Sequence, residues 1–204
     1  MASSSRLSRS VACLCTLSPN SLISSPYANT RRYYLLRGEK VVPYHKDHRM
    51  IAGDGRLRNF TYDESLTRTD YAPAGLSDNQ HFLGQKAIGF NCLDYEKHPE
   101  GALSVNKIPQ GADCPNGLRA ELFFPSCWDG VHPDSEDHRS HMAYPSVMDD
   151  GECPDTHPVR VPSLFYETIW DINAVYGKGG RLVFSNGDPT GIFLWVPIGY
   201  IFSF

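Results

Sequence analysis

The sequence predicts a mainly β fold, an antiparallel β-sandwich-like single domain with long loops and disulfides. The 15 prolines and 17 glycines interrupt the 204 residues too often for long helices. The segments between them that look ordered are short, aromatic and β-branched, which is typical of strands. A chain of this length is sufficient for one domain with its own hydrophobic core.

Five segments are predicted to be strands. In chain order they are Arg32 to Leu36, Ala87 to Phe90, Leu118 to Phe124, Val159 to Trp170 and Arg181 to Ser185. A helix is conceivable only from Pro162 to Ile172, because proline suits a first helical turn, but the aromatic and β-branched residues there favour a strand. Residues 54–84 and 96–113 are polar and are predicted to be loops.

Two of these segments repeat a pattern that predicts neighbouring strands. Trp128 follows Phe124 by four residues, and Trp170 follows Tyr166 by four residues. Leu and Phe stand directly before Phe124 in the first segment and directly before Tyr166 in the second. Asp follows the tryptophan in both. We expect the two segments to pair, although similar turn chemistry explains the repeat equally well.

The ends of the chain differ from its body in charge and composition. Residues 1–38 carry five arginines and no acid, so the net charge of −4 divides into +5 there and −9 on the rest. Residues 1–32 are predicted to be disordered or spurious, because such a segment buries too little apolar surface to offset ordering. Residues 192–204 form an apolar tail, either a final strand or spurious sequence.

Charge and hydropathy also argue against two classes of partner. An acidic body disfavours a phosphate backbone, so we predict no nucleic-acid partner. The apolar tail is well short of the ~20 residues that a membrane-spanning helix needs, so we predict no membrane partner.

Cysteine spacing predicts two disulfides in the body of the chain. Cys92, Cys114, Cys127 and Cys153 contain no Cys-x-x-Cys pair, which favours disulfides over a zinc site. Three pairings are possible. Cys92 with Cys114 and Cys127 with Cys153 closes the shortest total loop and is preferred.

Histidines in the second half of the chain are candidate ligands for a metal. His138 and His141 can share one face of a turn, and His157 follows Cys153 by four residues. Imidazole is a ligand of borderline transition metals, so a divalent transition metal is the candidate cofactor. The alternative is a solvated acidic loop whose histidines hydrogen-bond the backbone.

Carboxylates and aromatic residues in the same region are candidates for sugar chemistry. Asp129 and Glu167 are the predicted catalytic pair, because glycosidic hydrolysis uses two carboxyl groups and Glu167 lies in an aromatic strand. The alternative for Glu167 is an ion pair with Arg119 or Arg160. The predicted substrate-binding residues are Trp128, Tyr144 and Arg160.

Long motifs in the chain resemble a fungal family of secreted proteins classed as a domain of unknown function, DUF1996. They lie at residues 33–38, 49–54, 90–95, 114–171 and 185–191. The resemblance implies an extracellular or cell-wall location and a mainly fungal origin, but no defined activity. Family members continue beyond both ends of the matching region, so we expect a chain that is truncated at both ends.

These observations predict a secreted protein that binds or acts on a cell-wall or extracellular polysaccharide. Whether it is an enzyme is left open, because the same carboxylates and aromatic side chains serve binding without turnover. The alternative function is a non-enzymatic, metal-binding extracellular protein.

Overall fold

The computed structural model describes residues 14–18, 21–24, 27–54, 59–99, 105–174, 177 and 181–184. The strands in these ranges form three antiparallel sheets and confirm the predicted mainly β fold. The strands are β1 (Leu14–Ser18), β2 (Ser21–Ser24), β3 (Tyr27–Leu35), β4 (Ile88–Cys92), β5 (Leu118–Phe123), β6 (Cys127–Trp128), β7 (Met142–Ala143), β8 (Val159–Arg160), β9 (Ser163–Trp170) and β10 (Arg181–Phe184). The helix α1 spans Gln80–Lys86, and short 3₁₀ turns lie at Arg68–Asp70 and Ile172–Ala174.

The central sheet has the strand order β3-β9-β5-β4. Its two middle strands are the segments that share the repeated pattern, and they pair antiparallel with Leu122 opposite Tyr166 and Phe123 opposite Phe165. The prediction that they are neighbours is confirmed. β9 is a strand and not a helix, as its aromatic and β-branched residues indicate.

The side chains of the central sheet alternate between two faces, as the period of two requires. One face carries the main hydrophobic core, which includes Ile88, Phe90, Leu118, Leu122, Leu164 and Tyr166. The opposite face carries Arg119, Glu121, Phe123, Phe165 and Glu167, because each of them alternates with a core residue on its strand. Tyr33 belongs to the same face, because it lies directly opposite Phe165. We call this second set the aromatic–acidic face.

The predicted strand Val159 to Trp170 is two strands in two sheets. β8 pairs with β6 in a small sheet of order β7-β6-β8, whereas β9 belongs to the central sheet. Pro162 stands between them, and proline lacks the N–H that would continue a ladder. The chain crosses there from one sheet to the other, which brings the small sheet next to the main core.

Both predicted disulfides are present. Cys92 is bonded to Cys114 with a Cα separation of 5.0 Å, and Cys127 is bonded to Cys153 with one of 5.6 Å. The first bond joins the end of β4 to the loop before β5. The second bond closes the loop that contains His132, His138 and His141.

The start of the chain differs from the expectation for residues 1–32. β1, β2 and most of β3 lie there, because β1 pairs with β10 and β3 pairs with β9. Arginine-rich composition therefore did not prevent strand pairing with distant segments. Residues 1–13 and 192–204 lie outside the described residues, and the predicted domain boundaries stay predictions.

A short helix replaces the end of the predicted loop 54–84. Asn79 caps α1, since its side chain accepts a hydrogen bond from the N–H of Phe82 at 3.0 Å. Phe82 and Leu83 are fully buried and form a second, smaller core with Tyr71 and Tyr144. Among the described residues no helix is long and apolar enough to cross a membrane.

Candidate functional site

Two groups of side chains qualify as candidate sites, and the first surrounds Trp128. The Trp128 ring centroid lies 5.9 Å from His48 and 6.1 Å from His45. The rings of His48 and His141 are 5.3 Å apart in an edge-to-face arrangement. We call these four residues the histidine cluster.

Hydrogen bonds between two distant segments place His48 beside His141. The N–H of Arg49 donates to the carbonyl of Pro133 at 3.0 Å, and the N–H of Ile51 donates to the carbonyl of His138 at 2.9 Å. The Arg49 guanidinium also pairs with Asp134. The segment that carries His48 therefore runs along the loop that carries His141.

The two central imidazoles are buried with few hydrogen-bond partners. His48 is 2% exposed and His141 is 1% exposed. Within the described part of the chain, neither nitrogen of His48 has a hydrogen-bond partner, and neither does Nε2 of His141. Burial, followed by the neighbouring His141, lowers the pKa of His48 to about 4. Burial also lowers the pKa of His141, and a hydrogen bond with the Arg49 backbone opposes that shift.

Carboxylates surround the histidine cluster and stay ionised. Burial of Asp129 opposes ionisation, but the N–H groups of Val131 and His132 and the His132 ring lower its pKa to about 2. The backbone N–H of Ser140 is the first cause that lowers the pKa of Asp137. Burial has the largest effect on the pKa of His48 and of His141, but Asp129 and Asp134 raise both values.

The histidines predicted to hold a metal do not form one ligand group. His138 hydrogen-bonds Asp134 at 2.5 Å through Nδ1. His157 places one nitrogen 2.9 Å from the Thr156 hydroxyl and the other 3.1 Å from the Ser140 carbonyl. Across the residues that the structure describes, no three His, Cys, Asp or Glu side chains are arranged to hold a metal ion. Only His141 of the predicted set belongs to the histidine cluster.

The second candidate site is the aromatic–acidic face of the central sheet. Tyr33, Phe165 and Phe123 stand in one row across β3, β9 and β5. The ring centroids of Tyr33 and Phe165 are 5.7 Å apart, and those of Phe165 and Phe123 are 4.2 Å apart, both stacked. All three are partly exposed. The row is a rigid aromatic platform, although its Phe123 end packs against the small core under α1.

A pair of buried glutamates lies beside that row. Glu121 and Glu167 are directly opposite each other on β5 and β9, and they are 7% and 8% exposed. Arg119 donates to Glu121 at 2.5 Å and lies 3.8 Å from Glu167. The hydroxyl of Tyr33 donates to Glu167 at 2.8 Å. Arginine between the two carboxylates offsets the repulsion that directly opposed like charges produce.

The predicted catalytic pair is divided between the two sites. Asp129 contacts His132 in the loop after β6, whereas Glu167 contacts Tyr33 and Arg119 on the aromatic–acidic face. Trp128, next to Asp129, packs against the core on the other side of the central sheet. The partner that the structure places beside Glu167 is Glu121. The predicted alternative of an ion pair between Glu167 and Arg119 agrees with this geometry.

The predicted substrate-binding residues differ in exposure. Tyr144 is buried and its hydroxyl donates to the carbonyl of Phe123 at 3.0 Å. Arg160 is buried and donates to Ser126 at 3.0 Å and to the carbonyl of Gly151. Both side chains hold the fold together. Trp128 is partly exposed, and its indole N–H donates to the carbonyl of His132 at 2.6 Å.

Sequence reasoning missed His48 and Glu121. The signal for His48 was weak, since it stands in a short polar stretch 93 positions before His141. The signal for Glu121 was present: Arg119, Glu121 and Phe123 alternate with apolar residues along β5, which places them on one face.

Comparisons with known proteins agree with the resemblance that the motifs indicated. No curated protein matches the chain, and no solved structure matches it. A family described as a domain of unknown function, DUF1996, matches residues 17–195. Since this match covers most of the chain, the protein belongs to the DUF1996 family.

Proposed function

We propose that the protein binds a neutral polysaccharide of the cell wall or extracellular matrix on its aromatic–acidic face. The observation that carries the proposal is the row of Tyr33, Phe165 and Phe123 beside the opposed Glu121 and Glu167. The C–H faces of sugars stack on aromatic rings, and carboxylates accept hydrogen bonds from sugar hydroxyls. The two disulfides suit an extracellular location, where such bonds persist.

The pairing of Tyr33 with Glu167 supports binding in particular. The hydroxyl of Tyr33 holds the carboxylate beside the aromatic platform. Neither group then has to be ordered when a ligand arrives, and preorganisation reduces the entropic cost of binding. Arg31 is exposed and opposite Glu167 on β3, so it supplies donors at the same position.

The opposed glutamates also favour a second candidate function, hydrolysis of a glycosidic bond. Arg119 lies 2.5 Å from Glu121 and 3.8 Å from Glu167, so the two carboxyl groups are close together on one face. Retaining glycosidases hold their two carboxyl groups ~5–5.5 Å apart. Glu167 and Glu121 are then the acid and nucleophile candidates, in either assignment, and Arg119 orients both.

A pull-down on insoluble β-1,3-glucan, cellulose and chitin tests binding. Wild-type protein is expected to sediment with at least one of them, and Phe165→Ala is expected to weaken that binding at least tenfold. Tyr34→Ala is the matched control, because Tyr34 is 48% exposed and points to the opposite face of β3. Absence of wild-type binding to all three, or equal binding by Phe165→Ala, contradicts the proposal.

Release of reducing sugar from the bound polysaccharide tests hydrolysis separately. Hydrolysis predicts that Glu167→Gln and Glu121→Gln each abolish release while the protein still sediments with the polysaccharide. No release by the wild-type protein leaves the binding function and excludes hydrolysis of that polymer.

A further inference from the structure

The tripeptide Asn59-Phe60-Thr61 is an acceptor sequence for N-linked glycosylation. It consists of asparagine, a residue other than proline, and threonine. No other asparagine in the sequence has serine or threonine two positions later. Asn59 and Thr61 are both exposed, and a bulky glycan needs such a surface position. The sequence therefore contains a single candidate site for this modification.

Two hydrogen bonds attach Thr61 to the helix α1. The N–H of Thr61 donates to the side-chain oxygen of Gln85 at 3.1 Å, and the side-chain NH₂ of Gln85 donates to the Thr61 hydroxyl at 3.0 Å. Gln85 is only 2% exposed, so its amide needs hydrogen-bond partners inside the protein. Both the backbone N–H and the hydroxyl of Thr61 are thus engaged in the folded protein.

The middle residue of the tripeptide also packs against α1. Lys86 Nζ lies 5.5 Å from the centroid of the Phe60 ring, which is partly buried. A cation at this distance from an aromatic face is attracted to it. Lys86 Nζ also donates to the carbonyl of Glu64 at 2.9 Å, so it connects the segment after the tripeptide to the helix. Phe60 and Thr61 are held by α1, whereas Asn59 stands at the surface.

We propose that Asn59 carries an N-linked glycan and that the glycan is attached before α1 packs against Thr61. The amide nitrogen of Asn59 attacks the anomeric carbon of a lipid-linked oligosaccharide diphosphate. A C–N bond forms, and the C–O bond to the diphosphate breaks with its electron pair on the diphosphate. The amide nitrogen gives up one proton. The threonine hydroxyl is part of the acceptor sequence, so the transferase must reach it before Gln85 binds it.

This site rests on the extracellular location in the proposed function. N-linked glycans belong to secreted proteins, and the two disulfides suit the same compartment. Glycan occupancy is measured by mass and polysaccharide binding by sedimentation. Either proposal can therefore fail without the other.

Secretion of the chain from a yeast host behind a heterologous signal peptide tests the site. Wild-type protein is expected to lose the mass of one glycan when peptide N-glycosidase cleaves it. Asn59→Gln and Thr61→Ala are expected to show no such loss, whereas Thr61→Ser keeps the hydroxyl and is expected to retain the glycan. Asn59→Gln leaves both bonds between Thr61 and Gln85 in place. Asn116→Gln is the matched control and should keep the glycan, because Asn116 is exposed but is followed by Gly-Leu.

A second experiment tests the order of the two events. Chain produced without a glycan in a bacterial host, with both disulfides formed, is incubated with purified oligosaccharyl transferase and its lipid-linked donor. The folded chain is expected to stay unmodified. The same chain is expected to be glycosylated at Asn59 after reduction and alkylation, because loss of the disulfides opens the fold.

Two kinds of result overturn the proposal. A wild-type mass that the glycosidase leaves unchanged, or a loss of mass that Asn59→Gln also shows, means that Asn59 does not carry the glycan. Modification of the folded chain at the rate of the reduced chain means that Gln85 does not restrict access to Thr61, which overturns the proposed order.

Discussion

The histidine cluster and the aromatic–acidic face each hold two like titratable groups close together, but the two pairs differ in burial and in hydrogen-bond partners. Glu121 and Glu167 share Arg119, and Glu167 also accepts the Tyr33 hydroxyl. His48 and His141 are more deeply buried, yet three of their four nitrogens have no hydrogen-bond partner in the described residues. A buried polar group without a hydrogen-bond partner costs ~1–3 kcal/mol, so the histidine cluster is the less favourable of the two arrangements.

The two disulfides offer the largest test of this comparison. Cys127–Cys153 closes the loop that contains His141, and Cys92–Cys114 joins the end of β4 in the central sheet to the loop before β5. Replacing either pair by alanine is expected to cost about 3–4 kcal/mol of unfolding free energy, since the sequence separations of 22 and 26 are similar. Urea unfolding of each variant measures the loss. A variant whose free energy of unfolding equals that of the wild type contradicts the prediction for that disulfide.

The second test is the pH dependence of the histidine cluster. The pKa of His48 falls from 6.5 to about 4 on folding, so the unfolded state binds more protons in that range. Stability is therefore full above pH 6.5 and is lost as the pH falls toward 4, by up to about 3 kcal/mol. His141 adds to the loss, because burial lowers its pKa as well.

His48→Phe removes the largest contribution to that pH dependence. Chemical denaturation between pH 4 and 7 should give a flatter curve for this variant than for the wild type. His157→Phe serves as the control and should retain the wild-type slope. An unchanged slope for His48→Phe shows that His48 is not buried in its neutral form.

The third test removes Arg119, the arginine that contacts both glutamates of the aromatic–acidic face. Arg119→Met leaves two opposed carboxylates without their shared partner, and we expect a loss of about 2–3 kcal/mol at neutral pH, because Arg119 is itself partly exposed. Arg31→Met is the control, since Arg31 is exposed and should change stability by less than ~0.5 kcal/mol.

The smallest expected effect concerns the helix that packs near one end of the aromatic row. Asn79→Ala removes the cap of α1 and should cost about 1 kcal/mol. Because α1 and Phe123 share the small core, we also expect weaker polysaccharide binding. Asn79→Asp, which keeps a capping oxygen, should restore both stability and binding. Failure of that variant to restore them shows that the cap is not the cause.

Local sequence patterns predicted the parts of the fold that depend on local chemistry. Aromatic and β-branched residues identified β9, and cysteine spacing identified both disulfides. The break at Pro162 was visible but was not used, and the predicted strand was therefore too long. The end of β3 lies in the predicted strand Arg32 to Leu36. The strands β1 and β2 and the start of β3 were missed, because β1 and β3 depend on pairing with the distant strands β10 and β9 and not on composition.

Site prediction succeeded where side chains follow the period of a strand and failed where two segments meet. The sequence alone determined that Glu167 stands in an aromatic strand that runs beside a similar strand, and that four cysteines form two bonds. Only the tertiary structure decided that Glu167 faces Glu121 and that His141 meets His48 instead of His138 and His157. The reason is physical: strand alternation is a local property of the chain, whereas register and loop packing depend on hydrogen bonds and burial between residues far apart in sequence.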